Sequence, residues 1–314
     1  MSENNTSSIS RPKGRFAPSP SGRMHLGNVF AALLSWLSVK SKGGKWLLRI
    51  EDLDPQRCKR EYALQLEDDL QWLELTWDEG GTMEGCMQSL RSDIYEAHLS
   101  KLKQMHLTYP CHCTRTDIMA TQAPHESDGR IVYKGTCRPK DLTIPLSYEN
   151  AATRLCVPDE TIPFTDGLYG PQEINLSEHC GDFILRRKDR AWAYQLAVVV
   201  DDALMGVTEV VRGNDLLLSV PQQIYLYRLL GFTPPRFIHH PLLCNVNGQR
   251  LSKRDKSLDL GVLRQKYSPN ELIGMLAYHA GIISHNEAVS PTDLIKEFSW
   301  EKIQKGNIEI DIDF

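Results

Sequence analysis

The sequence predicts an α/β domain: an open, doubly wound parallel sheet interrupted by a small, loop-rich module. Three observations predict it. A short strand-like run from Arg15 turns through Pro18, Pro20 and Gly22 into a helix-like stretch, Val29–Leu37. A second strand run, Lys45–Ile50, ends at once in Glu51-Asp52-Leu53-Asp54-Pro55, and open α/β sheets bind ligands at such strand ends. From Cys137 to about Leu185, prolines and glycines break the chain into short strands, which suits an inserted β-rich module better than more parallel sheet.

Bulk properties narrow the class. At 314 residues the chain holds one large domain or two smaller ones. Hydrophobic residues make up 41% and charged residues 24%, as in ordinary globular chains. A formal charge of −4 excludes global attraction to nucleic acid, so any RNA-binding surface has to be local. No apolar run approaches the roughly 20 residues of a membrane helix, and the run Leu196–Val200 is read as a buried strand. Met1–Ser10 is polar and lacks the basic-then-apolar layout of a signal peptide, so residues 1–13 are expected to be a disordered tail. Eight cysteines without a secretion signal point to a reducing compartment, the cytoplasm, and to free thiols.

The first loop is the organising feature. A strand, a tight Pro/Gly/Ser loop and a helix N-terminus make an anion site, because orphan N–H groups and the positive end of the helix dipole face the loop. His25 adds a donor, and Gly27 lets a flat ligand approach the backbone. Further on, Asp54-Pro55 is predicted to cap the next helix at N-cap and N1, while Glu51 faces the site, placed to pair with a ligand's ammonium group. Gln56–Leu75 reads as an amphipathic helix with Leu64, Leu66, Leu70 and Leu73 near helical spacing. Trp77–Gly81 reads as a turn and Ser89–Leu107 as another helix.

At Cys111-His-Cys113 the character changes. Two thiolates on a short turn, with Cys137 returning from a loop, give three ligands for a tetrahedral Zn²⁺. The fourth is His112, His125 or Tyr133. Ligand statistics favour His, but His112 lies between the two cysteines and would point away from the site they share.

Asp182–Asp202 is read as a return to buried strands, and a further strand ends at Arg212. An arginine there can hold a carboxylate through two parallel hydrogen bonds, or pair with Asp202 or Asp215 on the rim. A helix follows from near Pro221 to Leu230, and the pair His239-His240 is read as packing or strand-end residues rather than ligands. The stretch Asn247–Asp255 places Lys253 between Arg250 and Arg254, a basic loop suited to neutralising charge on phosphates. Helices near Pro269–Ala280 and Pro291–Phe298 precede an acidic end.

These motifs together resemble the class I aminoacyl-tRNA synthetases. Their first signature, His-x-Gly-His, is matched by His25-Leu-Gly27-Asn28, and the second, Lys-Met-Ser-Lys-Ser, by Arg250-Leu-Ser-Lys253-Arg254. Arg15-Phe16-Ala17-Pro18-Ser19-Pro-Ser-Gly, Arg49-Ile-Glu51-Asp and Tyr194…Val-Val-Asp201-Asp202 are similar to the glutamyl branch, and Cys-x-Cys…Tyr-x-x-x-Cys to a short paralogue within it.

The resemblance implies a Rossmann-type catalytic domain in two halves, 14–110 and 185–245. A zinc-bearing acceptor-binding module, 111–184, is inserted between them. Residues 246–314 are then the second-signature loop and a short helical part, without an anticodon-binding domain. It also decides the fourth zinc ligand for Tyr133, completing a structural site of Cys111, Cys113, Tyr133 and Cys137. His25 and Lys253 are the implied catalytic residues. ATP with Mg²⁺ is expected on His25, Gly27, Asn28 and Lys253. L-Glutamate is expected on Arg15, Phe16, Ala17, Pro18, Ser19, Glu51, Tyr194 and Arg212. The implied reaction is activation of glutamate and its transfer to the queuosine base of tRNA(Asp), by a monomer. The branch usually carries Asn where this chain has Val198, which implies a rearranged amino-acid pocket.

Overall fold

The computed structural model describes residues 11–83, 85–114, 116–117, 132–245, 248, 251 and 259–310. The first half comprises β1 (Lys13–Phe16), α1 (Leu26–Lys40), β2 (Lys45–Leu48), α2 (Arg60–Trp72), β3 (Glu79–Gly80) and α3 (Ser92–Gln104). The middle comprises β4 (Thr108–Cys111), β5 (Ala152–Leu155), β6 (Thr161–Asp166), β7 (Gly170–Asn175), the single-turn α4 (Leu176–His179) and β8 (Phe183–Arg186). Then follow α5 (Tyr194–Leu204), β9 (Glu209–Gly213), α6 (Val220–Leu230), β10 (Arg236–His240) and β11 (Leu243–Cys244). The C-terminal part comprises α7 (Leu260–Lys266), α8 (Pro269–His279), α9 (Pro291–Leu294) and β12 (Ile308–Glu309).

The main sheet has the order β10-β9-β1-β2-β3, and every pairing in it is parallel. Strand order therefore runs outward from β1 in both directions. That reversal opens a crevice at the carboxyl ends of β1 and β9. Helix α1 lies over this centre, packed on β1, β2 and β9. Eleven of its fifteen residues are buried, because the C-terminal part covers its other side, where Trp300 Nε1 donates to Ser38 Oγ at 2.9 Å. A helix enclosed on all sides is apolar on all sides. Gly274 in α8 marks the same close packing: a Cβ there would stand 1.7 Å from the Glu287 carbonyl oxygen.

The middle segment forms its own antiparallel sheet, β4-β5-β8, and a hairpin, β6-β7. Its sheet begins at Thr108 and ends at Arg186, just outside the expected limits of 111 and 184. Among the described residues no helix is long and apolar enough to cross a membrane.

Several expectations are corrected. The valine-rich run Leu196–Val200 is the centre of helix α5, not a strand. Burial removes the polar positions that would reveal a 3.6-residue period, and tertiary packing overrides the β-propensity of valine. Helical geometry has a use here. Neighbouring Asp201 and Asp202 point about 100° apart, one toward Gln88, Arg91 and Tyr95, the other toward Arg15 and Arg49. Asp54-Pro55 does not cap α2. Asp54 closes a turn, its carbonyl accepting from Arg57 and Cys58, and α2 starts at Arg60 after Lys59 bonds the Pro20 carbonyl. Leu64 consequently faces outward. Glu79–Gly80, read as a turn, is an edge strand on β2, and α3 starts at Ser92 after a 3₁₀ turn rather than at Ser89.

Candidate active site

A cleft of about 500 Å³ opens where β1 and β9 part. Arg15, Phe16, Ala17, Pro18, Ser19, His25, Gly27, Asn28, Glu51, Tyr194 and Arg212 all line it. The strands explain the convergence. β1 delivers Arg15 and runs into the Ala17–Ser19 loop, which Glu51 pins by donating its N–H to the Pro18 carbonyl at 3.0 Å. β9 delivers Arg212 from the other side of the switch.

His25 is the N-cap of α1. Its Nδ1 accepts from the Gly27 N–H at 3.1 Å, and Asn28 Oδ1 accepts from the His25 N–H, closing a capping box. An accepting Nδ1 places the ring proton on Nε2, so His25 presents a donor. Asn28, where the signature has a second His, serves the cap. Gly27 also clears space for the ring, since a Cβ there would come within 3.0 Å of the imidazole.

The floor of the cleft is a buried charge network. Arg49 donates to Asp202 Oδ1 at 2.6 Å and to Glu51 Oε1 at 3.0 Å, and Arg15 Nε reaches Asp202 at 3.4 Å. Burial pushes the Glu51 carboxyl above its ordinary range, against the pull of Arg49 and Arg15. Burial opposes charge on Asp202 too, but Arg49 and Arg15 win and hold it below its ordinary range. Arg212 donates through Nε to His239 Nε2 at 3.0 Å and through its terminal nitrogens to Tyr194 Oη and the Leu216 carbonyl, each at 3.4 Å. Desolvation lowers the Arg212 pKa. Two guanidinium groups and one carboxylate around one cleft match a ligand bearing an ammonium group and an extra carboxylate.

Sequence reasoning missed Arg49, Asp202 and His239 as members of the site. An arginine inside a buried strand run and an acidic pair after five apolar residues were signals for the first two. His239, read as a packing or strand-end residue, is fully buried near the end of β10, and it also hydrogen-bonds Arg212. Val198 is buried in the core and is not among the residues lining the cleft. Lys253, with Arg250 and Arg254, lies outside the described residues. Its flanks converge on the cleft: Leu251 lines it, and Asp259 forms a β-bridge with His25.

Some distance along the chain, the Sγ atoms of Cys111, Cys113 and Cys137 lie within 4.8 Å of one another. Tyr133 Oη is 3.5 Å from Cys111 Sγ and 3.7 Å from Cys113 Sγ, and accepts the Cys137 N–H at 2.7 Å. Burial and neighbouring thiols push Cys113 up to about 11. For Cys137 burial also opposes charge, but hydrogen bonds from Tyr133 and the His112 backbone bring it down to about 7. The His112 side chain is exposed, and His125 lies outside the described residues. Three sulfurs and a phenol oxygen converging on one point fit a tetrahedral metal such as zinc.

The family description "tRNA synthetases class I (E and Q), catalytic domain" matches residues 13–313. A glutamyl-Q tRNA(Asp) synthetase from Nitratidesulfovibrio vulgaris is 46% identical over 295 residues, 90% of each chain. Another, from Symbiobacterium thermophilum, is 44% identical over 309 residues, 95% of each. Among solved structures, a glutamate tRNA ligase from Elizabethkingia meningosepticum, crystallised with its amino acid, superposes with a TM-score of 0.80 at 28% identity. The match covers 96% of this chain and 67% of that one.

Proposed function

We propose, for a chain that belongs to the class I tRNA synthetases of the E and Q type, that it is a ligase that activates L-glutamate with ATP and passes the glutamyl group to RNA. The arrangement that carries this reading is the pair Arg15 and Arg212 facing one cleft with Glu51 and Tyr194, beside the capped N-terminus of α1. Arg15 and Arg212 take the side-chain carboxylate of glutamate, and Glu51 takes its ammonium group. Ser19 and Tyr194 add hydrogen bonds, and Phe16, Ala17 and Pro18 form the wall. The α-carboxylate then attacks the α-phosphate of ATP, giving glutamyl-adenylate and pyrophosphate. His25 Nε2–H, the backbone at Gly27 and Asn28, and Lys253 hold the nucleotide and meet the charge that develops on it. Mg²⁺ accompanying ATP neutralises phosphate charge.

The name of the relatives, glutamyl-Q tRNA(Asp) synthetase, supports tRNA(Asp) as the acceptor. On our reading the glutamyl group goes to the queuosine base of its anticodon loop, with activation proceeding before RNA binds. Zinc held by Cys111, Cys113, Tyr133 and Cys137 has a structural role, because four protein ligands leave no open position for substrate.

Labelled glutamate, ATP and purified tRNAs test the reading. Transfer is expected to tRNA(Asp) that carries queuosine, also after removal of its 3′-terminal nucleotide, and not to the same tRNA lacking queuosine. ATP–pyrophosphate exchange is expected with glutamate alone. Charging of the 3′ end of tRNA(Glu) would establish instead the activity named for the superposed ligase.

A further inference from the structure

We propose that His239 and Asp166 are positioning residues that fix the Arg212 guanidinium in the orientation that receives the glutamate side chain. The proposal rests on the reading of Arg212 given above. His239 on β10 is the register partner of Arg212 on β9, so the two side chains lie abreast on one face of the sheet. Arg212 Nε donates to His239 Nε2 at 3.0 Å. Arginine offers no acceptor, so Nε2 must carry a lone pair and the ring proton must sit on Nδ1. Nδ1 in turn lies 2.6 Å from Asp166 Oδ2, and both side chains are wholly buried. The carboxylate thereby selects the tautomer, and the tautomer selects the rotation of the guanidinium plane.

Asp166 is itself held firmly. Its Oδ1 accepts from the backbone N–H groups of Leu168 and Tyr169 at 3.0 and 2.9 Å, in the turn of the β6–β7 hairpin. Gly167 N donates to the Phe237 carbonyl at 2.9 Å, and a Cβ on Gly167 would stand 2.5 Å from the Ile238 side chain. The hairpin is thus seated on the edge of β10, and the inserted module supplies an orienting carboxylate to the cleft. Other charges bear on the chain: Asp215 on His239, and Arg15 and Asp202 on Arg212. Burial, the largest influence on His239, keeps it neutral and able to accept. With Nε committed, the terminal nitrogens of Arg212 lie at the cleft, where they make long bonds of 3.4 Å to Tyr194 Oη and the Leu216 carbonyl, both residues of its lining. A carboxylate can use two such donors, whereas a neutral amide satisfies only one, so loss of this order should cost selectivity as well as affinity.

Exchange kinetics of the full chain with glutamate, together with ¹⁵N NMR of His239, test the proposal. Nitrogen shifts should place the proton on Nδ1. His239→Leu is expected to raise KM for glutamate about tenfold to a hundredfold, the scale of a hydrogen bond to a charged group, with little change in kcat or in KM for ATP. His239→Gln, which keeps an acceptor for Arg212, should recover most of the loss. Asp166→Asn preserves the acceptor that holds the hairpin turn but offers the ring an N–H. It should move the proton to Nε2, set donor against donor at Arg212, and raise KM for glutamate like His239→Leu. If His239→Leu does not fold, Asp166→Asn and the wild-type spectrum decide. A proton on Nε2 in the wild type, or an Asp166→Asn enzyme with unchanged KM, overturns the proposal. Arg212→Ala separates the layers: an unchanged KM removes Arg212 from glutamate binding and the proposal with it. A raised KM there, with none in Asp166→Asn, overturns the positioning role alone.

Discussion

Arg49 has no solvent exposure and stands among three carboxylates, Glu51, Asp201 and Asp202, which could not share so small a volume without it. Arg49→Met should therefore cost about 3–5 kcal/mol in urea denaturation, because it strands buried negative charge; a loss near zero would mean that water or protonation already relieves it. Acidity separates the members of this group. Asp202, held below its ordinary range, contributes stability that is present above the unfolded carboxylate value of about 3.9 and lost as pH falls through its folded pKa. Glu51 has the opposite sign. Its folded pKa is raised, so the folded chain binds the proton more tightly, and stability falls as pH rises from 4.5 through the raised value. A ligand ammonium group relieves that cost only while Glu51 is charged. The kcat/KM for glutamate should then fall on the acid side at a pH above the ordinary glutamate range, and Glu51→Gln should abolish that limb while raising KM about tenfold to a hundredfold. An acid limb that survives in Glu51→Gln would assign it to another group.

Helix α1 combines two tasks in one residue, and a substitution can separate them. His25→Asn keeps an N-cap acceptor, since Asn is among the best caps, but removes the Nε2 donor. It should melt like the wild type, while the exchange rate falls by about 10²–10³-fold, the scale for one charge-stabilising donor. His25→Ala should show the same rate loss and in addition cost about 1 kcal/mol of stability. A fast His25→Asn enzyme would reduce His25 to a cap. What was legible in the sequence follows a similar division. The β1 loop, β2 with Glu51, and Arg212 at the end of β9 could be read because strand, turn and helix signals are local. Helix α5 could not, because complete burial erases the polar face by which a helix is recognised. The link from Asp166 to His239 spans 73 residues and joins a hairpin of one module to a strand of another, so no local pattern announces it.

At the scale of the whole molecule, the apolar interior of the described residues falls into three clusters, and their division predicts how the activities come apart. The largest joins α1, α2 and the C-terminal helices. The second joins α3, α5 and α6 to β8 and the base of the β6–β7 hairpin, through Ile162, Leu176 and Phe183. The third is small and contains the buried Tyr109, Cys111 and Tyr133, at the candidate metal centre. Because the hairpin that carries Asp166 packs in the second cluster through Ile162 and in the first through Leu168, its seat on β10 does not depend on the third. Structural zinc contributes about 10–16 kcal/mol of folding free energy in small modules, so its removal should loosen β4 and the loop to Cys137 while sparing the cleft. A hollow of about 480 Å³ adjoins that region, lined by Cys111, Cys113, Tyr133, Arg154, Gln195 and Gln222. The purified protein should hold about one zinc per chain, and Cys137→Ser should lower that content. After chelation, ATP–pyrophosphate exchange with glutamate should stay within about twofold of the loaded enzyme, whereas transfer to tRNA should drop roughly tenfold or more and return on zinc addition. Parallel loss of both activities would mean that the third cluster supports the cleft, and preservation of both would leave the metal centre without a part in RNA transfer.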